Sequence, residues 1–166
     1  MSREFSIGGD GLTLANSAVT LVFINPPNAP KPNTQVLRLW ASQQGSATSA
    51  QQRVRVVTQA SAFPTLVGAT PVSLKTGDAA VSNIVSGAAG AVGTGGVNAS
   101  AEGAGTKVTM FGDNFNVLNG YLWVATPREV IDMAPSFGSG LGLFLPAAAA
   151  SLTNWAAGMN YVEGSP

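Results

Sequence analysis

The chain has 166 residues, eight basic and eight acidic side chains, no histidine and no cysteine. This composition removes the side chain best placed to move protons near neutral pH, the soft metal ligands and the thiol nucleophile, and it excludes disulfide staples. Charged residues are 10% of the chain, against roughly 25% in an average globular domain, and the scattered Lys and Arg argue against nucleic acid as a partner.

Residues 3–7 form the first expected strand, and Gly8-Gly9-Asp10-Gly11 reads as a turn, since Gly and Asp accept positive φ. Residues 12–24 are extended, with a break near Asn16. Their apolar run Leu21-Val22-Phe23-Ile24 is far too short to span a bilayer. No signal-peptide pattern follows Met1, so the expectation is a protein used without secretion and without a membrane partner. The segment 25–33 holds Pro26, Pro27, Pro30 and Pro32 and must be a loop. Pro27 and Pro30 form a PxxP pair, read as a stiff connector rather than a ligand for a proline-recognition domain.

Residues 35–42 alternate, with Leu37, Leu39 and Ala41 on one face and Val36, Arg38 and Trp40 on the other. Arg53-Val54-Arg55-Val56 has the cleanest two-residue period, valines inward and arginines outward on a solvated or ion-paired face. Phe63-Pro64 and Thr70-Pro71 leave 65–67 and 71–74 as edge pieces. Residues 86–106 are dominated by Gly, Ala, Ser and Thr and read as a loop ordered by a neighbouring subunit. It lacks the strand, helix and Gly-Lys-Ser/Thr ending of a phosphate loop. Its Asn98-Ala99-Ser100 is a glycosylation sequon only if the chain is secreted.

Residues 106–111 are a strand. Residues 115–118, Asn119-Gly120 and 121–124 carry the strongest hairpin signal, because Asn-Gly fits a type I′ turn. Thr126-Pro127-Arg128-Glu129 resembles a helix capping box, but Pro135 arrives soon after and Val130-Ile131 prefer a strand, which favours turn then strand. Residues 140–145 are a buried strand, and 146–152 are a short Ala-rich helix or a loop. Residues 155–163 close the series, with Trp155, Ala157, Met159 and Tyr161 on one face. These elements predict one all-β domain over 1–166, an antiparallel β-sandwich or jelly-roll-like fold of roughly eight to ten short strands with at most one short helix.

Catalysis without histidine or cysteine would need converging acids or a serine–lysine pair. The acids are Glu4, Asp10, Asp78, Glu102, Asp113, Glu129, Asp132 and Glu163. Glu129 and Asp132 are three apart and fall on opposite faces of a strand. Asp113 sits in Gly112-Asp113-Asn114, a turn sequence in which its side chain bonds nearby backbone. Ser73 and Lys75 share a candidate strand face with nothing to support them. No Asp-x-Asp-x-Asp calcium loop occurs. The expectation is no catalytic, cofactor or metal site. Trp40, Trp123 and Trp155 lie in apolar runs and are read as core or subunit-interface residues, with stacking on sugar rings the alternative.

The segments Gly96-Val97-Asn98-Ala99-Ser100-Ala101-Glu102-Gly103, Phe115-Asn116-Val117-Leu118-Asn119-Gly120-Tyr121-Leu122-Trp123-Val124-Ala125-Thr126-Pro127 and Leu145-Pro146-Ala147-Ala148 resemble small accessory virion structural proteins of tailed bacteriophages. The likeness covers about the C-terminal half and rests on turns and aromatics. It implies a non-enzymatic capsid decoration (cement) protein, a β-sandwich or jelly roll forming homotrimers on a head shell. The implied partner is the major capsid protein or another virion protein, and the implied location is the virion, assembled in the host cytoplasm. The second reading is a carbohydrate- or receptor-binding module of a phage tail or adhesin.

Overall fold

The computed structural model describes residues 3–14, 19–45, 49–75, 81–135, 138–147, 149 and 151–164. Asn16 and Asp78 lie outside them. Among the described residues there is no helix. Thirteen strands follow in order: β1 Arg3–Leu12, β2 Val19–Ile24, β3 Thr34–Gln43, β4 Gln51–Ala60, β5 Thr65–Gly68, β6 Val72–Ser73, β7 Val85–Ser86, β8 Thr94–Ala101, β9 Lys107–Asn116, β10 Tyr121–Val124, β11 Ile131–Met133, β12 Ser139–Leu145 and β13 Trp155–Glu163.

They make a β-sandwich. The first sheet runs β10-β3-β13-β1-β6, with β11 also on β3. The second runs β5-β8-β2-β12-β4-β9, with β7 beside β8. Apart from the short parallel β7–β8 pair, the pairings are antiparallel. The strand count exceeds expectation because β6, β7 and β11 are pieces of two or three residues.

The alternation of β4 and β13 is realised. Val54, Val56, Trp155, Ala157, Met159 and Tyr161 are buried between the sheets, while Arg53 is exposed. Burying one such Val or Met side chain stabilises by roughly 1.5–3 kcal/mol. The edge pieces also fall as expected: β5 closes one end of the second sheet and β6 one end of the first. Residues 25–33 contain no strand, and Pro27 is buried while Pro30 is exposed, so the pair presents no common face. Residues 126–129 form a turn ahead of β11.

Five local expectations are corrected. Gly8 to Gly11 are not a turn but part of β1, paired across Gly8↔Gly158 and Gly9↔Ala157, with an irregularity before Leu12. In β3 the inward set is Val36, Leu39 and Ala41. Asn160 pairs Arg38 and Tyr161 pairs Val36, so Leu37 is an extra residue that flips the phase. The Gly/Ala-rich 86–106 segment contains β8, which pairs with both β2 and β5. Gly112 to Asn114 lie inside β9. The Asn119-Gly120 hairpin does not exist: β9 belongs to the second sheet, and β10 pairs with β3 in the first. Only Gly120 of the pair has positive φ (71°), whereas a type I′ turn needs both residues there. The turn is a corner between sheets, closed by Gly120 N donating to Asn116 O at 3.2 Å.

The outer face of the second sheet carries a small core of its own. Phe23 is fully buried there, opposite Gly142 on β12 and Gly96 on β8. A Cβ on Gly140 would overlap the Phe23 ring, so glycine makes the room that the ring fills. Phe63 covers it, with ring centroids 6.0 Å apart. Beside it, Glu102 accepts hydrogen bonds from Thr20 N and Thr20 Oγ1, both at 2.6 Å, and pairs with Lys107 at 3.1 Å. Glu102→Ala is expected to lower stability by about 1–3 kcal/mol, since it strands the Thr20 donors. Urea denaturation measures this, and an unchanged midpoint would show that water replaces the carboxylate without loss.

Glu163 is the second polar anchor and was not singled out in the sequence. It is 3% exposed at the end of β13. It accepts from Ser82 Oγ at 2.6 Å, Asn83 N at 2.9 Å, Asn83 Nδ2 at 2.7 Å and Ile84 N at 3.2 Å. The Ser82 proton is committed to this carboxylate, so the Tyr161 hydroxyl, 2.7 Å away, donates to Ser82. Burial, reinforced by the Glu163 charge, pushes the Tyr161 hydroxyl far above its usual range.

Candidate functional site: the open edge of the sandwich

β9 is the last strand of the second sheet, and β10 and β11 flank β3 at the corresponding edge of the first. Aromatic side chains bridge the two edges. Phe111 lies 5.3 Å from Trp123, and Phe115 lies 5.8 Å from Tyr121 and 6.4 Å, edge-on, from Trp155. A register shift against β4 leaves Met110 without a partner between Phe111 and Thr109. Met110 is 47% exposed and Val108 59% exposed.

Asp113 lies opposite inward-facing Val54, two residues from both Phe111 and Phe115, so it shares their strand face. Its Oδ1 accepts from Asn114 N at 2.7 Å, the local backbone bond expected for it, made within a strand rather than a turn. Burial, then the Asp113 charge, pushes the Tyr121 hydroxyl up to about 12 from 10.0. Tyr121 and Tyr161 are both raised, so the stability they contribute is complete below pH 10 and falls as pH rises through their folded values. In an ultraviolet titration Asp113→Asn is expected to shift the Tyr121 step downward, because a negative neighbour is removed. An unmoved step would sink the assignment.

A groove of about 500 Å³ opens between the edges, floored by Met110, Phe111, Trp123 and Ile131, with Glu129 and Asp132 on its lining. These carboxylates were expected on opposite faces of one strand. They line one groove because Glu129 sits in the turn before β11 and only Asp132 is in the strand. Glu129 Oε2 accepts from Thr126 Oγ1 at 2.9 Å, and Asp132 Oδ2 from Asn33 Nδ2 at 3.2 Å. On the other side of β9, Arg53, Arg55, Thr109, Gly112 and Asn114 border a shallow shelf of about 390 Å³. Among the described residues the one ion pair is Lys107–Glu102, so neither arginine meets a carboxylate of those residues.

A second surface lies on the outer face of the first sheet. Register sets Leu122, Trp40, Gly158 and Gly8 in one row across four strands. A Cβ on Gly158 would collide with the Trp40 ring, which covers both glycines. Trp40 is half-buried and borders a hollow of about 410 Å³ with Ser6, Asp10 and Thr70. Arg38 lies 5.7 Å from the ring centroid. The three tryptophans thus differ: Trp155 is core, Trp123 is half-buried in the groove and Trp40 is on the outer face.

Compared with known proteins, the chain matches no family model, no curated protein and no solved structure.

The other residues weighed for chemistry are dispersed. Ser73 Oγ accepts from Lys75 N at 3.2 Å, a backbone turn, and β6 ends at Ser73, so the two do not share a strand face. Asn98 has positive φ (51°), and its Nδ2 donates to Thr13 O at 2.8 Å. Among the described residues no three acids are grouped to hold a metal, and no helix is long and apolar enough to cross a membrane.

Proposed function

We propose that the protein is a non-enzymatic structural component of a tailed-bacteriophage virion, a homotrimeric capsid decoration protein that cements the head shell by packing. The observation that carries this reading is the presence of two apolar surfaces on a chain with little charge. One is the open-edge strip of Val108 and Met110, and the other is the outer-face row ending in Leu122 and Val124, all of them about half exposed or more. Scattered single apolar residues need no explanation, but contiguous ones mark contact surfaces. The resemblance of the C-terminal half to accessory virion proteins supplies the setting, with the major capsid protein or another virion protein as partner. The test is sedimentation of the pure protein, alone and with empty shells of its phage's major capsid protein. Saturable shell binding by a trimer is expected. A monomer that leaves the shells unbound would overturn the proposal.

Trp40 favours a second reading, a carbohydrate- or receptor-binding module, because an indole laid on a sheet beside polar groups can stack on a sugar. A glycan-array signal abolished by Trp40→Ala would favour it. Retained shell binding by that variant, with no glycan signal in the wild type, would dismiss it.

A further inference from the structure

Building on the structural reading above, we infer that copies of this chain join head to tail, the Arg53–Arg55 shelf of one copy seated on the Glu129–Asp132 groove of the next. The two surfaces share β9 as a wall and carry opposite charge. Among the described residues neither arginine is ion-paired with a carboxylate, and neither groove acid with a cation. Asp113 also borders the shelf but is not in ion-pair contact with either arginine. Val108 and Met110 stand exposed on β9 between them and supply apolar area.

The edge itself is a poor template for strand addition. Met110 breaks its register, and Asp113 places a charge on its inward face, two devices that blunt edge pairing. Docking therefore proceeds through side chains. A symmetric two-fold contact through either patch would set like charges together, which is unfavourable. A contact between different patches repeats from copy to copy until a ring closes, and the trimer proposed above is such a ring. The charges set orientation, and the apolar strip supplies most of the affinity.

Sedimentation velocity on the full chain tests this with three variants: Arg53→Glu/Arg55→Glu, Glu129→Arg/Asp132→Arg, and all four together. Each half-swap is expected to weaken self-association at least about tenfold. The complete swap restores complementarity and should recover assembly. A 1:1 mixture of the two half-swaps should form the matched contact between two unlike copies but no closed trimer, since a ring of three leaves one like-charged junction. Circular dichroism checks that each variant is folded. If a swap unfolds, Arg53→Gln/Arg55→Gln replaces it and must still weaken association. Half-swaps that assemble like the wild type, or a folded full swap that stays dissociated, overturn this contact. An oligomer that ignores the swaps would leave the structural reading intact, whereas a wild-type monomer that also ignores shells would remove both.

Discussion

Glu163→Ala is expected to cost about 3 kcal/mol or more, because Ser82 Oγ, Asn83 N and Asn83 Nδ2 lose their acceptor together and Ile84 N keeps only Ser82 Oγ. In a protein of this size that lowers Tm by roughly 6–12 °C. The carboxylate lies on β13, and the donors lie on the segment leading into β7. The loss therefore detaches a connector as well as breaking individual bonds. Glu163→Gln keeps the shape and one acceptor oxygen but turns an amide N–H₂ toward donors, so it should fall between wild type and alanine. Calorimetry ranks the three. An alanine variant within about half a kcal/mol of wild type would mean that solvent satisfies these donors and that the anchor is idle.

Phe23→Ala should cost about 3–5 kcal/mol, the range for emptying a fully buried aromatic site. The distinctive point is where this cost arises. Phe23 points away from the inter-sheet core onto Gly140 and Gly142. Gly140→Ala should also destabilise, by about 1–3 kcal/mol through overpacking. Because both changes act on one contact, Phe23→Leu with Gly140→Ala should cost less than the sum of the separate changes. Chemical denaturation of the four proteins completes the cycle. Strict additivity would sever the link between ring and glycine.

The sequence revealed the parts of the fold that depend on one strand at a time. Arg53 to Val56 and Trp155 to Tyr161 carry their alternation in plain view, and prolines at 64 and 71 mark edge strands because they withhold a ladder donor. The features that stayed hidden belong to pairs of strands. Leu37 is an extra residue only relative to β13, so neither strand read alone shows the flip. Asn119-Gly120 is a sound local turn, but β10 is claimed by β3 and not by β9. β8 is poor in side chains because Leu66 and the Val67 carbonyl press against Gly96, a closeness invisible in a Gly/Ala-rich string. The groove was missed for the same reason. The spacing of Glu129 and Asp132 places them on opposite faces only if both sit in one strand, and a turn intervenes.

β13 comes last of the thirteen strands yet lies in the middle of its sheet, hydrogen-bonded to β1 on one side and β3 on the other. During synthesis β1 and β3 therefore emerge without the strand that joins them, and the first sheet stays split until β13 is released. Closure must bridge almost the whole chain, which places this protein among the slow, high-contact-order folders. Until then, the half-finished sheet presents unpaired strands to its neighbours. Early-arrested nascent chains should thus be markedly more prone to aggregation than chains released after β13.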